Sequence, residues 1–298
     1  MRPANEVRLT AMLCGALKPS LTWLAFIFIA ATACSAWSQA PKSSRSLEPQ
    51  AACSQPVYLT FDTGHMAVAP LIADVLKRHD VKVTFFTANE PTKEGDGSLG
   101  QHWAPWWRER AAEGHAFASH TIDHTYWRAD AGPERFTVRP SAGPRSGQTF
   151  EVSAAQYCTQ IRASNERLQV MTGTAPLPLF RAPGGKTSPA LLRAAQACGY
   201  AHVGWANAGF LGDELPSDKY PNHMLLDQAL RDIKAGDILM AHLGIWSRQD
   251  PWAPTVLEPL ITGLKARGFC FATLREHPRY LKWIAAHNLA GTPPAANR

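Results

Sequence analysis

The stretch Val57–Gly64 (VYLTFDTG) decides the fold class that this sequence predicts. Its first five residues form an apolar, β-rich run that ends at the carboxylate of Asp62, just before Thr63 and a permissive glycine. The predicted strands are Val57–Phe61, Val81–Thr87, His115–Ser119, Leu177–Arg181, Ala201–Trp205, Asp237–His242 and Phe269–Thr273. The predicted helices between them are Pro70–His79, Trp103–Glu113, Ser153–Met171, Pro189–Cys198, Met224–Ala235 and Val256–Arg267. Strands that alternate with helices predict a single α/β domain on a parallel sheet of seven strands.

Length and composition limit the classes to which the chain can belong. Its 298 residues suit one large α/β domain, and 45% hydrophobic with 18% charged residues is typical of a globular protein. The net charge is +6, but the charges are scattered and do not indicate nucleic-acid binding. No phosphate loop, nucleophile elbow or paired CxxC motif is present. We expect a monomer without a partner protein.

The N-terminus has the features of an export signal. A basic lead precedes the apolar run Leu21–Ala33, whose 13 residues fall short of the ~20 that a membrane-spanning helix needs. Residues 1–40 are therefore predicted to be a cleaved signal peptide, with a retained anchor as the alternative, and residues 41–56 a polar tether. This predicts a periplasmic or secreted protein, and Cys34 adds a weak signal for a lipoprotein anchor.

Four cysteines follow the predicted signal peptide, at positions 53, 158, 198 and 270. Export permits disulfides, and four cysteines allow three pairings that the sequence does not resolve. Because Cys158 and Cys198 fall on neighbouring predicted helices, we expect these two to pair. Buried free thiols are the alternative.

Reactive side chains stand at or just after the carboxyl ends of the predicted strands. They are Asp62, His120, His124, Arg181, Trp205 and His242. In a closed or nearly closed parallel βα barrel these strand ends converge on one face, where active sites lie. The sequence therefore predicts that these residues share a site.

His120 and His124 indicate a metal site. They are four residues apart, so one helical turn beginning at Thr121 would direct both rings at one point. Two surface histidines that never meet are the alternative, but the strand-end position and Asp62 favour a metal. Asp62 can act as a general base toward a water molecule or as a direct ligand.

Arg181 and His242 complete the predicted chemistry. An arginine at a strand end can hold a carboxylate bidentately and keep it ionised, although a surface salt bridge is the commoner role. His242 follows the buried-type run Ile238–Ala241, which fits either a core histidine or a general acid that protonates a leaving amine.

Aromatic side chains and a glycine near these loops are candidates for substrate contact. Aromatic faces suit the C–H patches of sugar rings, although most tryptophans only pack in cores. The candidates are Trp127, Trp205, Trp246 and, in the turn after Arg181, Gly184.

The ordered motifs TFDTG at 60–64, HTIDH at 120–124, RAPGG at 181–185 and ILMAH at 238–242 resemble the polysaccharide deacetylase family, the NodB homology domain. The match runs from about Val57 to about Leu274 and predicts a deacetylase domain over residues 57–280, with a C-terminal tail at 281–298. The resemblance implies a distorted (β/α)7 barrel, a divalent metal that is usually zinc, and hydrolysis of acetyl groups on amino sugars, mainly from nitrogen.

The resemblance also implies roles for individual residues. Asp62 would be the catalytic base, oriented by Arg181, and His242 the catalytic acid. His120 and His124 would be metal ligands. The substrate would be an N-acetylated glycan of the cell envelope.

Two departures from the family pattern bear on the metal and the acid. The family usually has an aspartate as third metal ligand where this chain has Thr63, so the third ligand is left open among Asp62, Thr63, His65 and Asp213. Trp205 has no neighbouring aspartate to tune the acid, a role that the stretch 209–214 is free to take. A loop over Ala129–Thr149 is predicted to overhang the same face and to influence substrate choice.

Three functions are compatible with these residues. The first is a metal-dependent N-deacetylase, and the second is a carbohydrate-binding pseudoenzyme in which Thr63 marks a lost metal. The third is hydrolysis of another non-peptide C–N bond, such as a cyclic amide. We favour the first, because a decayed site is not expected to keep its polar residues together, namely Asp62, His120, His124, Arg181 and His242.

Overall fold

The computed structural model describes residues 53–245, 248 and 250–288. The strands are β1 (Pro56–Asp62), β2 (Thr84–Thr87), β3 (Ala116–Ser119), β4 (Thr125–Gly132), β5 (Arg135–Pro140), β6 (Phe150–Ser153), β7 (Leu179–Phe180), β8 (Ala201–His202), β9 (Ile238–His242) and β10 (Cys270–Phe271). The helices are α1 (Ala69–Arg78), α2 (Ala104–Ala112), α3 (Ala154–Thr172), α4 (Pro189–Ala197), α5 (Asn222–Asp232), α6 (Leu257–Ala266) and α7 (Pro278–His287).

The seven predicted strands are all present and form one parallel sheet. Its order is β10-β1-β2-β3-β7-β8, and β9 also pairs with β1. Successive parts of β1 have different partners, since Pro56 and Val57 pair with β10 whereas Tyr58–Asp62 pair with β9. With helices α1 to α6 between the strands, the architecture is the predicted distorted (β/α)7 barrel.

Strand β1 is central in this sheet, because it pairs with β2, β9 and β10. Both of its faces are also covered. Every residue from Val57 to Asp62 is buried, so the run is continuously apolar instead of alternating. Leu59 and Phe61 belong to the largest apolar cluster, and Tyr58 belongs to a second cluster on the other side. The carboxylate of Asp62 is thereby placed at the end of a buried strand.

A three-stranded antiparallel sheet includes the first part of the loop expected over Ala129–Thr149, whereas residues 141–149 do form a loop between β5 and β6. Strands β4 and β5 form a hairpin, and β6 pairs with β5. Phe136, Val138 and Val152 point into an apolar cluster with α3 and α4, which explains why the segment is ordered. Apart from the buried Pro140, the Gly, Pro and Arg residues in this segment belong to turns or exposed strand positions, and they conceal the alternation of the strands.

The C-terminal boundary also differs from the prediction. Helix α7 crosses residue 280 and extends to His287, so residues 281–287 belong to the domain and not to a tail. Pro278 occupies its first turn and the side chain of His277 caps it. Tyr280, Trp283 and Ile284 pack against the second apolar cluster. No helix among the described residues is long and apolar enough to cross a membrane.

Two disulfides join distant parts of the domain. Cys158 in α3 pairs with Cys198 after α4, as predicted, and Cys53 pairs with Cys270 at the start of β10. The second bridge and the entry of Pro56 into β1 place residues 53–56 in the domain, although they were expected in the tether. The predicted signal peptide, Cys34, residues 41–52 of the tether, Trp246 and residues 289–298 lie outside the described residues.

Candidate active site

The register of the sheet brings the predicted residues to one edge. Asp62 at the end of β1 is the direct neighbour of His242 at the end of β9. On the other side of β1, β2 and then β3 follow, so His120 comes just after a strand two places away. Arg181 follows β7, the next strand in the order. The structure therefore brings the four side chains to the same end of the sheet.

Asp62 and Arg181 form a buried ion pair. Arg181 Nη1 donates to Asp62 Oδ1 at 2.6 Å, and both side chains are almost fully enclosed. The guanidinium also donates to the carbonyl of Val203 and lies 4.1 Å from the ring centroid of Phe86. Burial by itself raises the pKa of Asp62, but the positive charges of Arg181 and His242 outweigh it, and the pKa is lowered. Asp62 is thus an ionised carboxylate.

His120 and His124 do meet, but no helical turn brings them together. They flank a tight turn in which Thr121 and His124 have left-handed backbone angles, with φ of 61° and 48°. A β-branched residue in this region is strained, and such strain concentrates at functional sites. Their Nε2 atoms lie 3.2 Å apart. The turn replaces the helix that the spacing suggested.

The two imidazoles fit a metal. His120 Nδ1 is 2.9 Å from the carbonyl oxygen of Arg181, which can only accept, so Nδ1 carries the proton and Nε2 presents its lone pair. Burial lowers the pKa of His120 to about 4, which keeps the ring neutral. Two nitrogens ~2.0–2.1 Å from one tetrahedral zinc stand roughly 3.3 Å apart, close to the observed separation.

A complete ligand set is not preformed. Within residues 53–245, 248 and 250–288, no three His, Cys, Asp or Glu side chains already surround one metal position. Of the four candidates for third ligand, Asp62 is bound to Arg181, with its Oδ2 3.5 Å from His120 Nε2. His65 Nδ1 accepts from the Ala67 amide, and Asp213 lies against His242.

Thr63, the fourth candidate, binds a carboxylate that the sequence did not reveal. Its hydroxyl accepts from the amide of Ala88 at 3.0 Å and donates to Glu90 Oε2 at 2.6 Å. The other oxygen of Glu90 is 3.8 Å from His124 Nδ1. Glu90 follows β2, which lies between β1 and β3, so its position in the sheet could have marked it as a neighbour of both metal motifs.

His242 is held by Asp213. The backbone N–H of His242 donates to Asp213 Oδ2 at 2.7 Å, and its ring Nδ1 is 3.1 Å from Oδ1. Burial lowers the pKa of His242, but the negative charge and hydrogen bond of Asp213 oppose this. With smaller contributions from Asp62 and Glu214, they raise the pKa to about 9. His242 is therefore protonated at neutral pH. Asp213 occupies the stretch 209–214 that the sequence marked as a substitute for an aspartate beside Trp205.

Two aromatic rings stand over the turn that follows Arg181. Gly184 and Gly185 have φ of 64° and 65°, and a Cβ atom on them would lie 2.9 Å from Tyr126 and 2.6 Å from Trp205. Tyr126 also packs edge-on against His124, with centroids 4.9 Å apart.

Trp127, the predicted contact, lies elsewhere. Successive side chains of β4 face opposite ways, and Trp127 packs on the apolar cluster of α3 and α4, with its indole N–H on Asp130. Tyr126 takes the place beside the site.

Comparison with known proteins identifies the family. The family model described as polysaccharide deacetylase matches residues 50–203, just over half of the chain. The chain belongs to the polysaccharide deacetylase family. It is accordingly a hydrolase of the class that acts on non-peptide C–N bonds. The match includes Asp62, His120, His124 and Arg181, whereas His242 lies beyond it.

Individual relatives support the same family. A chitooligosaccharide deacetylase of Azorhizobium caulinodans is 26% identical over 230 residues, which cover 73% of this chain and 92% of the relative. The peptidoglycan-N-acetylmuramic acid deacetylase PdaA of Bacillus subtilis is 26% identical over 74% of this chain and 70% of its own. Among solved structures, a family 4 acetyl xylan esterase from Clostridium thermocellum in complex with a cobalt ion has a TM-score of 0.57 at 23% identity. It covers 74% of this chain and 89% of that one, and it supports the barrel fold of the deacetylase.

Proposed function

We propose that this deacetylase is an exported, metal-dependent hydrolase that removes N-acetyl groups from an amino-sugar polysaccharide of the cell envelope. One observation carries the proposal: an ionised Asp62 and a protonated His242 end neighbouring strands in direct register. Amide hydrolysis needs both a base for the attacking water and an acid for the departing amine. The two groups have the protonation states that these roles require.

Asp62 is the proposed base. Its Oδ1 is taken by Arg181, and its Oδ2 faces the histidine side of the site, where a water can be deprotonated. Arg181 keeps the carboxylate ionised and oriented while it waits for that proton. Because the pair is enclosed, bulk water does not screen this effect.

His242 is the proposed acid. As the acyl C–N bond breaks, the ring passes its proton to the amine nitrogen, which otherwise would leave as an unstable anion. Asp213 stabilises the imidazolium before transfer and orients the ring through Nδ1, so that Nε2 is the donating atom. The raised pKa ensures that the proton is present when the enzyme meets its substrate.

His120 and His124 are proposed to hold a divalent metal, with zinc the favoured ion for two imidazoles and a carboxylate. When bound there, the metal would supply Lewis-acid polarisation of the acetyl carbonyl. The neutral state of His120 and the approach of the two Nε2 atoms support this assignment.

An acetylated glycan is the proposed substrate. Tyr126 and Trp205 present aromatic faces over the glycine turn beside the reacting groups, a surface suited to the C–H patches of sugar rings. A cavity of about 310 Å³ beside His242, lined in part by Val68, Trp252 and Ala253, offers apolar space next to the proposed acid. The relatives named for chitooligosaccharides and peptidoglycan support the choice of amino sugars.

The test is acetate release from N-acetylated chito-oligomers and from peptidoglycan, by the metal-loaded protein and its Asp62→Asn variant. General-base catalysis is worth about 10²- to 10⁴-fold, so we expect kcat/KM to fall by that factor. Asp74→Asn, an exposed aspartate on α1, is the matched control and should behave as wild type. Equal activity in Asp62→Asn would remove Asp62 from the mechanism.

A binding protein without turnover is the second candidate, favoured by Thr63 in place of a carboxylate. It predicts retention on chito-oligomer resin and no acetate release, whatever divalent metal is added. Release of acetate with bound metal would eliminate it.

A further inference from the structure

The proposed metal site is one carboxylate short at position 63, and a glutamate stands beside that position. A threonine hydroxyl is neutral and a poor ligand for zinc compared with a carboxylate. Thr63 is buried, with 1% of its surface exposed, and both its hydrogen-bonding roles are taken by Ala88 and Glu90. What remains for a metal is one lone pair of a neutral hydroxyl.

Glu90 reaches this place from the adjacent strand. It follows β2, the strand between Asp62 and His120, by three residues. Its backbone N–H donates to Ser98 Oγ, and its carbonyl accepts from the Ser98 amide, so the loop is clamped at both ends of the residue. The amide of the preceding residue, Asn89, donates to Ile122 in the histidine turn. The backbone of Glu90 is therefore held by hydrogen bonds on both sides, and its side chain is held by the Thr63 hydroxyl.

The side chain of Glu90 faces the histidines. Its exposure is 17%, low for a glutamate, and one oxygen lies 3.8 Å from His124 Nδ1 while the other is held by Thr63. Its charge is also close enough to His120 to act on that ring. The described residues place no lysine or arginine within ion-pair distance of Glu90, so its negative charge is directed at His124. The nearer Glu90 oxygen lies next to His124 Nδ1 and not next to the Nε2 atom that faces His120, so joint coordination requires the Glu90 carboxylate or the His124 ring to turn. An anionic oxygen donor beside imidazole nitrogens is what a divalent ion selects.

Positions 63 and 90 exclude each other as carboxylates. The Thr63 hydroxyl and Glu90 Oε2 are 2.6 Å apart, so an aspartate at 63 would place two negative charges almost in contact. Threonine removes that repulsion and becomes a donor that orients Glu90. The two residues together thus provide one carboxylate, which comes from the loop after β2 instead of from the end of β1.

We propose that Glu90, positioned by Thr63, is the third protein ligand of the divalent metal that His120 and His124 hold. The proposal rests on the metal dependence proposed above. It explains how the chain can carry threonine at position 63 and still bind a metal.

Cobalt binding tests the proposal without any assay of activity. Co²⁺ is titrated into metal-free wild type and Glu90→Gln, and its affinity and visible absorption are recorded. Glutamine keeps an acceptor for the Thr63 hydroxyl, so thermal unfolding of the metal-free proteins should be equal. Loss of a residue that only supports a ligand costs 10- to 100-fold in affinity, so loss of the ligand should cost more than about 100-fold and alter the Co²⁺ spectrum. Glu94→Gln, on the same loop and exposed, should change neither.

The Thr63→Asp/Glu90→Gln double variant provides the rescue. It moves the carboxylate back to position 63, and Co²⁺ affinity should return to within about tenfold of wild type, as expected if one carboxylate replaces the other. If Glu90→Gln binds Co²⁺ within 100-fold of wild type and with the same spectrum, Glu90 is not a ligand. If wild type itself binds no Co²⁺ or Zn²⁺, the metal-dependent function fails as well, which separates the two failures.

Discussion

Two buried histidine–aspartate pairs lie in this site, and their histidines differ in charge. One histidine is neutral and the other is protonated. His120 lies 3.5 Å from Asp62, and His242 lies 3.1 Å from Asp213. The pKa of His120 is lowered to about 4, whereas that of His242 is raised to about 9. The same two residue types therefore yield a neutral imidazole in one place and a protonated one in the other.

The difference comes from what else binds the aspartate. One oxygen of Asp62 accepts from the Arg181 guanidinium at 2.6 Å. The positive guanidinium compensates much of the negative charge that Asp62 would otherwise exert on His120. His120 also faces a second imidazole, His124, and burial dominates its pKa. Asp213 directs both oxygens at the ring and the amide of His242. Burial thus keeps His120 neutral, whereas the hydrogen-bonded carboxylate of Asp213 overcomes burial and keeps His242 protonated.

The strongest way to break this contrast is to remove Arg181. In Arg181→Gln, Asp62 becomes a buried charge without its partner, and we expect a loss of about 3–5 kcal/mol in the free energy of unfolding at pH 7. In the wild type, the lowered pKa of Asp62 means stability that is present above its ordinary value of 3.8 and lost below it. In the variant, burial raises the pKa of Asp62, so the buried carboxylate becomes protonated and neutral at low pH. The loss in the free energy of unfolding relative to wild type should therefore be smaller at pH 4 than at pH 7. Urea unfolding at the two pH values measures both.

An exposed pair provides the control for this prediction. Arg135 and Glu151 are 3.0 Å apart on the antiparallel sheet, with half of each side chain exposed. Arg135→Gln should cost less than about 1 kcal/mol at either pH. An equal loss in both variants would mean that burial of the Asp62 pair has no special energetic role.

The second prediction removes the carboxylate from the other pair. In Asp213→Asn, burial still lowers the pKa of His242 while the main opposing charge is gone, so the pKa should fall from about 9 to or below the ordinary 6.5. The acid must be protonated, so the alkaline limb of kcat/KM moves to lower pH. At pH 8 we expect at least about a tenfold loss, recovered in part near pH 6. An unchanged alkaline limb, recorded over pH 5 to 10, would show that His242 is not the acid.

The sequence was sufficient for the sheet and for the residues at its edge. Continuous apolar runs such as Val57–Phe61 have few alternatives to buried parallel strands, and reactive side chains at their carboxyl ends must share a face. The contact of Asp62 with Arg181 follows from this topology. The spacing of His120 and His124 also indicated that they meet, although the chain achieves it with a strained turn and not a helix.

Contacts made through loops were not predictable in the same way. Glu90 begins a polar stretch, Glu90–Gly97, whose composition is that of any solvent loop, and only the tertiary bond to Thr63 distinguishes it. Tyr126 and Trp127 differ by one position, and the direction of each depends on the register of a hairpin hidden by glycine and proline. The bond between Asp213 and His242 spans 29 residues without a periodic pattern to announce it.

The smallest expected effect concerns the aromatic wall next to the Asp62 pair. Trp205 lies 5.6 Å from the Arg181 guanidinium and would meet a Cβ on Gly185 at 2.6 Å. In Gly185→Ala the indole must shift, so KM for chito-oligomers should rise several-fold, by about 1 kcal/mol of lost contact, with less change in kcat.

Gly173→Ala is the control for backbone strain. The left-handed φ of 65° at Gly185 adds about 1–2 kcal/mol of strain to the first variant. Gly173 has a similar φ of 72° and no atom within 4 Å of an added Cβ, so its alanine variant has the strain without the clash. If Gly173→Ala raises KM as much as Gly185→Ala does, the rise in KM comes from backbone strain and not from displacement of the Trp205 ring. The added methyl group in Gly185→Ala meets Trp205 and not His242 or Asp213, so the alkaline limb should remain near pH 9 in both variants. A shift would show that the two pairs are coupled through Trp205.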